Sequence, residues 1–221
     1  MTFVSASGGL KKRSQDWSGK ALPRPAVGVL LFTFVAAAFA AVGLFRQPPA
    51  TAHTLITRCG VERWAVKTLA DADARRVNFR ARDTTISALR RLTPTRTYSR
   101  GVGVERTTYR IKARLVEAKL EDDQDFHLVV ADPRHRSRRM IVEFPASNCT
   151  RRSLKRKVIR RARAAFVRSC GIPSSSYFMH LRGRATITGV GFFDFDHGQR
   201  GIAPNGIELH PVLSFSEATC S

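Results

Sequence analysis

The sequence predicts a mainly β fold with one long helix. It is expected to be an OB-like five-stranded Greek-key barrel of order β-β-β-α-β-β, preceded by a short α/β brace and an N-terminal hydrophobic helix. Three observations point there. Apolar residues alternate at period two in stretches that begin at Thr107 and end near Phe215. One arginine-rich stretch of helical period, residues 151–168, interrupts them after the third strand. An uncharged run of 20 residues, 26–45, stands far upstream of both.

The chain opens with a basic leader over residues 1–25. Residues 26–45, AVGVLLFTFVAAAFAAVGLF, follow as a transmembrane or signal helix, since 20 residues rising 1.5 Å each just cross a hydrocarbon core of about 30 Å. Basic residues concentrate before this run, so the positive-inside rule places the amino terminus in the cytoplasm and the rest outside. Ala50-Thr51-Ala52 has the small-x-small form that signal peptidase accepts. Two locations stay open: membrane-anchored with an extracytoplasmic domain, or secreted after cleavage near Ala52.

The formal charge of +21 divides at His53: residues 1–52 carry +5 and residues 53–221 carry +16. Only the second share can speak of ligands. A hydrophobic content of 43% excludes a disordered basic tail as the explanation for the whole chain.

Residues 46–58 read as a linker and 59–106 as the brace. In the brace, Thr84 or Thr85 is placed to cap a short helix with Ile86, Leu89 and Leu92 on one side, ended by Pro94. Residues 107–221 form the expected barrel domain. In strand one, Tyr109, Ile111, Ala113 and Leu115 alternate with basic residues, and the apolar phase then slips to Val116, Ala118 and Leu120, which requires a bulge or sharp bend. Phe126, Leu128 and Val130 mark strand two; Met140, Val142 and Phe144 mark strand three. The helix stripe is expected to run through Leu154, Val158, Ala162, Ala165 and Phe166, with Gly171 as the stop. ATITGVGFFDFD and GIELHPVLSF supply the last two strands, with Gly189 and Gly191 suited to a tightly coiled barrel. An open α+β sheet built from the same elements is the rival.

Four cysteines, Cys59, Cys149, Cys170 and Cys220, all follow the hydrophobic run, and an even number outside the membrane suggests two disulfides. A helix between Cys149 and Cys170 would hold them apart, far beyond the roughly 7 Å Cα limit of a disulfide. The favoured pairing is Cys59–Cys149 with Cys170–Cys220.

The phrases ERWAVKTLADAD (62–73), KLEDDQDFHLVVADP (119–133), MIVEFP (140–145) and GVGFFDFDHGQRGIAPNGIELHPVL (189–213) resemble a largely uncharacterised family of secreted or membrane-attached bacterial proteins. That resemblance implies an exported, compact β-rich domain and no particular activity.

The candidate site residues follow from strand alternation. With Phe126, Leu128, Val142 and Phe144 inward, His127 and Glu143 face outward as approximate cross-strand neighbours, on the ligand face usual for an OB barrel. Asp194, Asp196, His197 and Asn205 flank the last strand connection, and His210 alternates with Leu209 on the same side. These seven residues are the expected ligand site. The leading expectation is a noncatalytic binding module without a cofactor, its ligand an anionic polymer or a protein partner.

The alternative is a metal-assisted, phosphodiesterase-like hydrolase in which His127, Glu143, His197 and His210 hold a divalent ion or act as acid and base. No G-x-S-x-G elbow, Walker loop or dinucleotide fingerprint is present. Arg134, Arg136, Arg138 and Arg139 in one loop, with Arg152, Arg156 and Arg160 in the helix, are the expected anion-binding surface. Its partner would be extracellular nucleic acid, a cell-wall polymer or an anionic lipid surface.

Overall fold

The computed structural model describes residues 59, 60, 62–95 and 97–221. The leader, the hydrophobic run 26–45 and the whole linker 46–58 therefore lie outside the described residues. Among those described, no helix is long and apolar enough to cross a membrane.

The order is α1 (Trp64–Lys67), β1 (Asn78–Thr84), α2 (Ile86–Leu89), β2 (Thr107–Leu120), β3 (Phe126–Ala131), β4 (Arg139–Phe144), α3 (Arg156–Cys170), β5 (Met179–His180), β6 (Gly183–Phe193) and β7 (Ile207–Cys220). Strands β2, β3, β4, β7 and β6 pair in that ring order, and β6 pairs back onto β2, so five strands close a barrel. Closure excludes the open sheet. All ring pairings are antiparallel except β4 with β7.

One strand serves two parts of the ring because β2 bends. Its first half pairs with β6 over Thr108–Arg114, and its second half pairs with β3 over Arg114–Leu120, with a register shift between Leu115 and Glu117. The shift lies where the apolar phase of the sequence slips. Inward residues of all five strands, among them Ile111, Leu128, Val142, Ile187 and Leu209, form one buried core. Burying such side chains removes on the order of 1.5–3 kcal/mol each from exposure to water.

Gly191 shows how tightly the barrel is wound. A Cβ at that position would stand 2.7 Å from the Val104 carbonyl oxygen and 2.8 Å from the Tyr109 ring. Gly191→Ala is expected to cost about 1–3 kcal/mol through overpacking, read as a lower denaturation midpoint with an unchanged denaturant slope.

The helix departs from expectation at its start. Residues 151–155 form turns, in which Lys155 N–H donates to Ser153 Oγ at 3.1 Å, and α3 begins only at Arg156 and reaches Cys170. Its buried stripe is Ile159, Ala162 and Phe166; Leu154 is 47% exposed. A stripe counted from Leu154 therefore began on a residue outside the helix and passed over Ile159. Phe166 meets the rings of Phe126, Phe144 and Phe215 at 5.6, 5.1 and 5.4 Å between centroids and plugs one end of the barrel.

Both expected disulfides, Cys59–Cys149 and Cys170–Cys220, are formed. They suit an oxidising, extracytoplasmic compartment. The first ties the start of the brace to the segment after β4; the second ties the end of α3 to the end of β7. Strand β1 was not foreseen as a strand: it runs parallel to β2, and its charged, largely exposed residues blunt an edge of the sheet.

Candidate functional site

Residues before the barrel shape the site as much as the barrel does. Arg63 is buried, and its guanidinium donates to both carboxylate oxygens of Glu105, at 2.9 and 2.7 Å, and to the Phe193 carbonyl at 2.7 Å. Glu105, with no exposure, also accepts from the backbone N–H groups of Gly101 and Phe193. Arg100 pairs with Asp71 at 2.7 Å and donates to the Val66 carbonyl. These two arginines fasten the α1 segment against the end of β6, across its outer face.

His127 and Glu143 are directly paired on β3 and β4, as the hairpin register requires. The outer face on which they sit is not open to solvent. His127 is 2% exposed and His210 is 1% exposed, because the α1 segment and the 194–206 loop cover them. Asparagine 205 belongs to that covering rather than to a ligand site: its amide donates to the Leu89 and Leu92 carbonyls and anchors the loop on α2. Asp196 is also local, accepting from the Gly198 N–H within an exposed turn. β6 ends at Phe193, so the expected strand alternation through Asp194 and Asp196 does not occur.

Below the covering, side chains alternate in charge. Glu143 Oε1 lies 3.2 Å from His127 Nδ1, and Glu143 Oε2 lies 3.1 Å from His210 Nδ1. On the opposite side of the His210 ring, Nε2 stands 3.5 Å from Asp125 Oδ2. Glu208 Oε2 is 3.9 Å from His210 Nδ1. The His127 Nε2 position contacts the Arg200 carbonyl at 2.8 Å. None of the His210 contacts is aligned as a hydrogen bond. Both its ring nitrogens are buried without such a partner, as are Asp125 Oδ2, Glu208 Oε2 and Asp194 Oδ1. Five orphan polar atoms in one neighbourhood depart from the usual satisfaction of buried polar groups.

Electrostatics fix the protonation states. Burial pushes Asp125 up to about 6, against the pull of His210. Burial also raises Glu143, but His210, His127 and Lys67 outweigh it and hold that carboxyl down to about 2. For His127 and His210, burial acts downward, yet Glu143 foremost lifts each to about 9. Lys67 stays above its ordinary value because Glu143, Glu208 and Asp194 overcome burial. It donates to Asp194 Oδ2 at 3.0 Å.

A cleft of about 250 Å³ opens above this floor. It joins the α1 segment (Glu62, Trp64, Lys67), the β2–β3 turn (Glu121, Asp123), the strand pair (His127, Glu143) and the loop after β6 (Asp194, His197). Of the expected site residues, His127, Glu143, Asp194 and His197 thus share one cavity. His210 lies beneath it, beside Glu143, while Asp196 and Asn205 are outside it. His197 is at the rim, its side chain 58% exposed, 3.7 Å from Asp194. Sequence reasoning did not single out Lys67 and Trp64: they lie in the brace, and no spacing rule links residue 67 to residue 194. Glu208 was legible as an alternating neighbour of His210.

The arginines of the expected anion surface are all exposed. They fall into two groups. Arg134, Arg136 and Arg138 occupy the connection that enters β4 and Arg139 opens that strand, whereas α3, which carries Arg156 and Arg160 but starts after Arg152, docks at the other end of β4, where Arg163 donates to the Phe144 carbonyl at 2.6 Å. Arg163 itself lies over the Phe126 ring, its Cζ 3.3 Å from the centroid, and is half-buried rather than part of that surface.

Comparison with protein-family models, curated proteins and solved structures finds no match to this chain, and the phrase-level resemblance to secreted or membrane-attached bacterial proteins gains no support from it.

Proposed function

We propose that this protein is an extracytoplasmic OB-like binding module that takes a basic group of a protein or peptide partner into the cleft above His127 and Glu143. The closed five-stranded barrel of order β2-β3-β4-β7-β6, with α3 between the third and fourth barrel strands in sequence, supports the OB-like reading. In that fold, the β2–β3 face of the barrel and the loop between its last two strands are the usual ligand surface; the cleft here lies over the equivalent strands and beside the equivalent loop.

The observation that carries the ligand class is the charge of the cleft. Five carboxylates line it, from Glu62, Glu121, Asp123, Glu143 and Asp194, against Lys67, His127 and His197, inside a domain whose net charge is strongly positive. Oriented carboxylates with the Trp64 ring beside them favour an ammonium or guanidinium group, and disfavour a phosphate. Trp64 gives the readout. Full-length protein titrated with acetyl-Gly-Arg-Gly-amide should change its tryptophan emission, acetyl-Gly-Glu-Gly-amide should not, and Glu62→Gln with Glu121→Gln should abolish the change. Equal responses to both peptides, or a response untouched by the two substitutions, sinks this reading.

A second reading concerns the arginine groups and is favoured by their exposure. Their placement at the two ends of β4 suits an extended anionic partner, such as a nucleic acid, a cell-wall polymer or an anionic lipid surface, rather than a small anion. Counterion release makes such binding strongly salt-dependent. Affinity for a DNA duplex that is unchanged between low and high salt argues against it.

A further inference from the structure

We propose, resting on the arginine reading above, that the outer face of α3, with Ile172 just beyond its end, seats the domain on a bilayer that contains anionic phospholipid. Nothing in this depends on what the cleft binds.

Residues 144–193 hold 11 Lys and Arg residues and no Asp or Glu, although the chain has 17 acidic residues in all. Helix α3 lies inside that stretch, without a carboxylate in its first turn. Arg156 stands four residues before Arg160, and Lys157 four before Arg161. Like charges at that spacing oppose the helix, so the face is built against its own stability, and an anionic surface would relieve it.

Packing fixes where these charges point. Ile159, Ala162 and Phe166 are buried against the barrel. At about 3.6 residues per turn, Arg156, Lys157, Arg160, Arg161 and Arg168 fall on the opposite side, and all five are exposed. Arg163 is drawn away to the Phe144 and Gln124 carbonyls and takes no part. Elsewhere in the domain, arginines such as Arg63, Arg100, Arg106 and Arg200 are matched to carboxylates. Among the described residues, none of the five on the outer face of α3 has such a partner.

Exposed apolar side chains favour lipid over nucleic acid. Ile172, two residues past the end of α3, is 68% exposed, and Tyr177, on the same connection, is 64% exposed. Leu154, two residues before the start of α3, is exposed as well. The basic helix is thus bracketed by apolar groups. A phosphate backbone gains nothing from an exposed isoleucine, and one tyrosine does not make the row of aromatic rings on which bases stack. A surface that lies on a membrane needs this combination: cations for anionic headgroups, and apolar side chains that enter the boundary below them. Tyrosine is enriched at that depth.

Chain length supplies a further argument. Cys59 is bonded to Cys149, with Cα atoms 5.6 Å apart, and Cys149 is seven residues before Arg156. Residues 46–58 number 13, at most about 45 Å of extended chain. On the anchored reading of residues 26–45, a bilayer is therefore within reach of the domain, and the short tether raises the effective concentration of lipid.

The test places the full-length protein in nanodiscs of phosphatidylcholine, with or without phosphatidylglycerol, and labels it with phenylglyoxal, each arginine being read by mass spectrometry. With phosphatidylglycerol, Arg156, Arg160 and Arg161 should react at least about fivefold more slowly than in neutral discs, the factor for a single basic residue held at an anionic surface. Arg134 and Arg136 should keep their rate. Arg160→Gln with Arg161→Gln should return Arg156 to its neutral-disc rate, and Ile172→Asp should weaken its protection; these three positions are exposed, so the fold is not at risk. Equal rates in the two lipids, or protection of the 134–139 connection instead of α3, overturns the proposal. A DNA duplex added to neutral discs separates it from the extended-polymer reading. Protection of both arginine groups by the duplex, with none by phosphatidylglycerol, overturns the lipid surface and leaves that reading standing, whereas protection by neither removes both.

Discussion

Glu143→Gln is expected to destabilise the protein by about 3–5 kcal/mol, the cost of removing one partner from a buried ionic network. The neutral amide keeps the shape of the carboxylate but leaves the cations of His127, His210 and Lys67 facing the floor without their central anion. For a chain of this size that loss corresponds to a fall in melting temperature of roughly 6–20 °C. The pH profile supplies a second signature. The Glu143 carboxyl is depressed from 4.5 to about 2, so its contribution is fully present above pH 4.5 and is lost as pH falls towards 2. His127 and His210 are raised from 6.5 to about 9, so theirs is present below pH 6.5 and is lost as pH rises through 9. The gap between the unaltered protein and Glu143→Gln should therefore be widest between pH 4.5 and 6.5. A gap that is small, or that does not change across these limits, would show that the network is not held by charge.

Glu143 and His127 were legible from sequence because a period-two strand and a hairpin register are local rules. Once Phe126 and Phe144 face inward, residues 127 and 143 have no other side to occupy. The same locality explains the barrel: β2, β3 and β4 each carry their own alternation, and the slip in the apolar phase of β2 marks its bend. Helix α3 was misread at its start because Arg151, Arg152 and Lys155 suit a turn as well as a helix, and Leu154 offered a false first point for the stripe. What could not be read was the burial of the outer face. It depends on the α1 segment and the 194–206 loop coming to rest there, and those contacts join residues 42 to 130 positions apart. Nothing in the spacing of Arg63, Lys67 or Glu105 announces such partners.

That covering is the target of the second large effect. Glu105→Ala is expected to cost about 3–5 kcal/mol and to release the brace from the barrel before the barrel itself unfolds. Glu105 receives both terminal nitrogens of Arg63 and two backbone N–H groups, so its removal strands a guanidinium whose side chain is 1% exposed and frees the end of β6. Arg63 also stands over Phe192, 4.5 Å from the ring centroid, and that ring in turn meets His210 at 5.7 Å between centroids. The clamp and the site floor therefore share one buried aromatic plate. Limited proteolysis should cut first within residues 97–103, while the Cys59–Cys149 disulfide keeps the loosened segment attached. Because Trp64 and Lys67 form one wall of the cleft, basic-peptide binding should disappear in Glu105→Ala at temperatures where the barrel remains folded by circular dichroism. An Arg63→Met, Glu105→Met double substitution removes both charges together and should recover part of the stability, as an apolar replacement for a buried pair generally does. If Glu105→Ala instead melts in one transition that coincides for brace and barrel, the two are a single cooperative unit, and the cleft wall is as rigid as the strands beneath it.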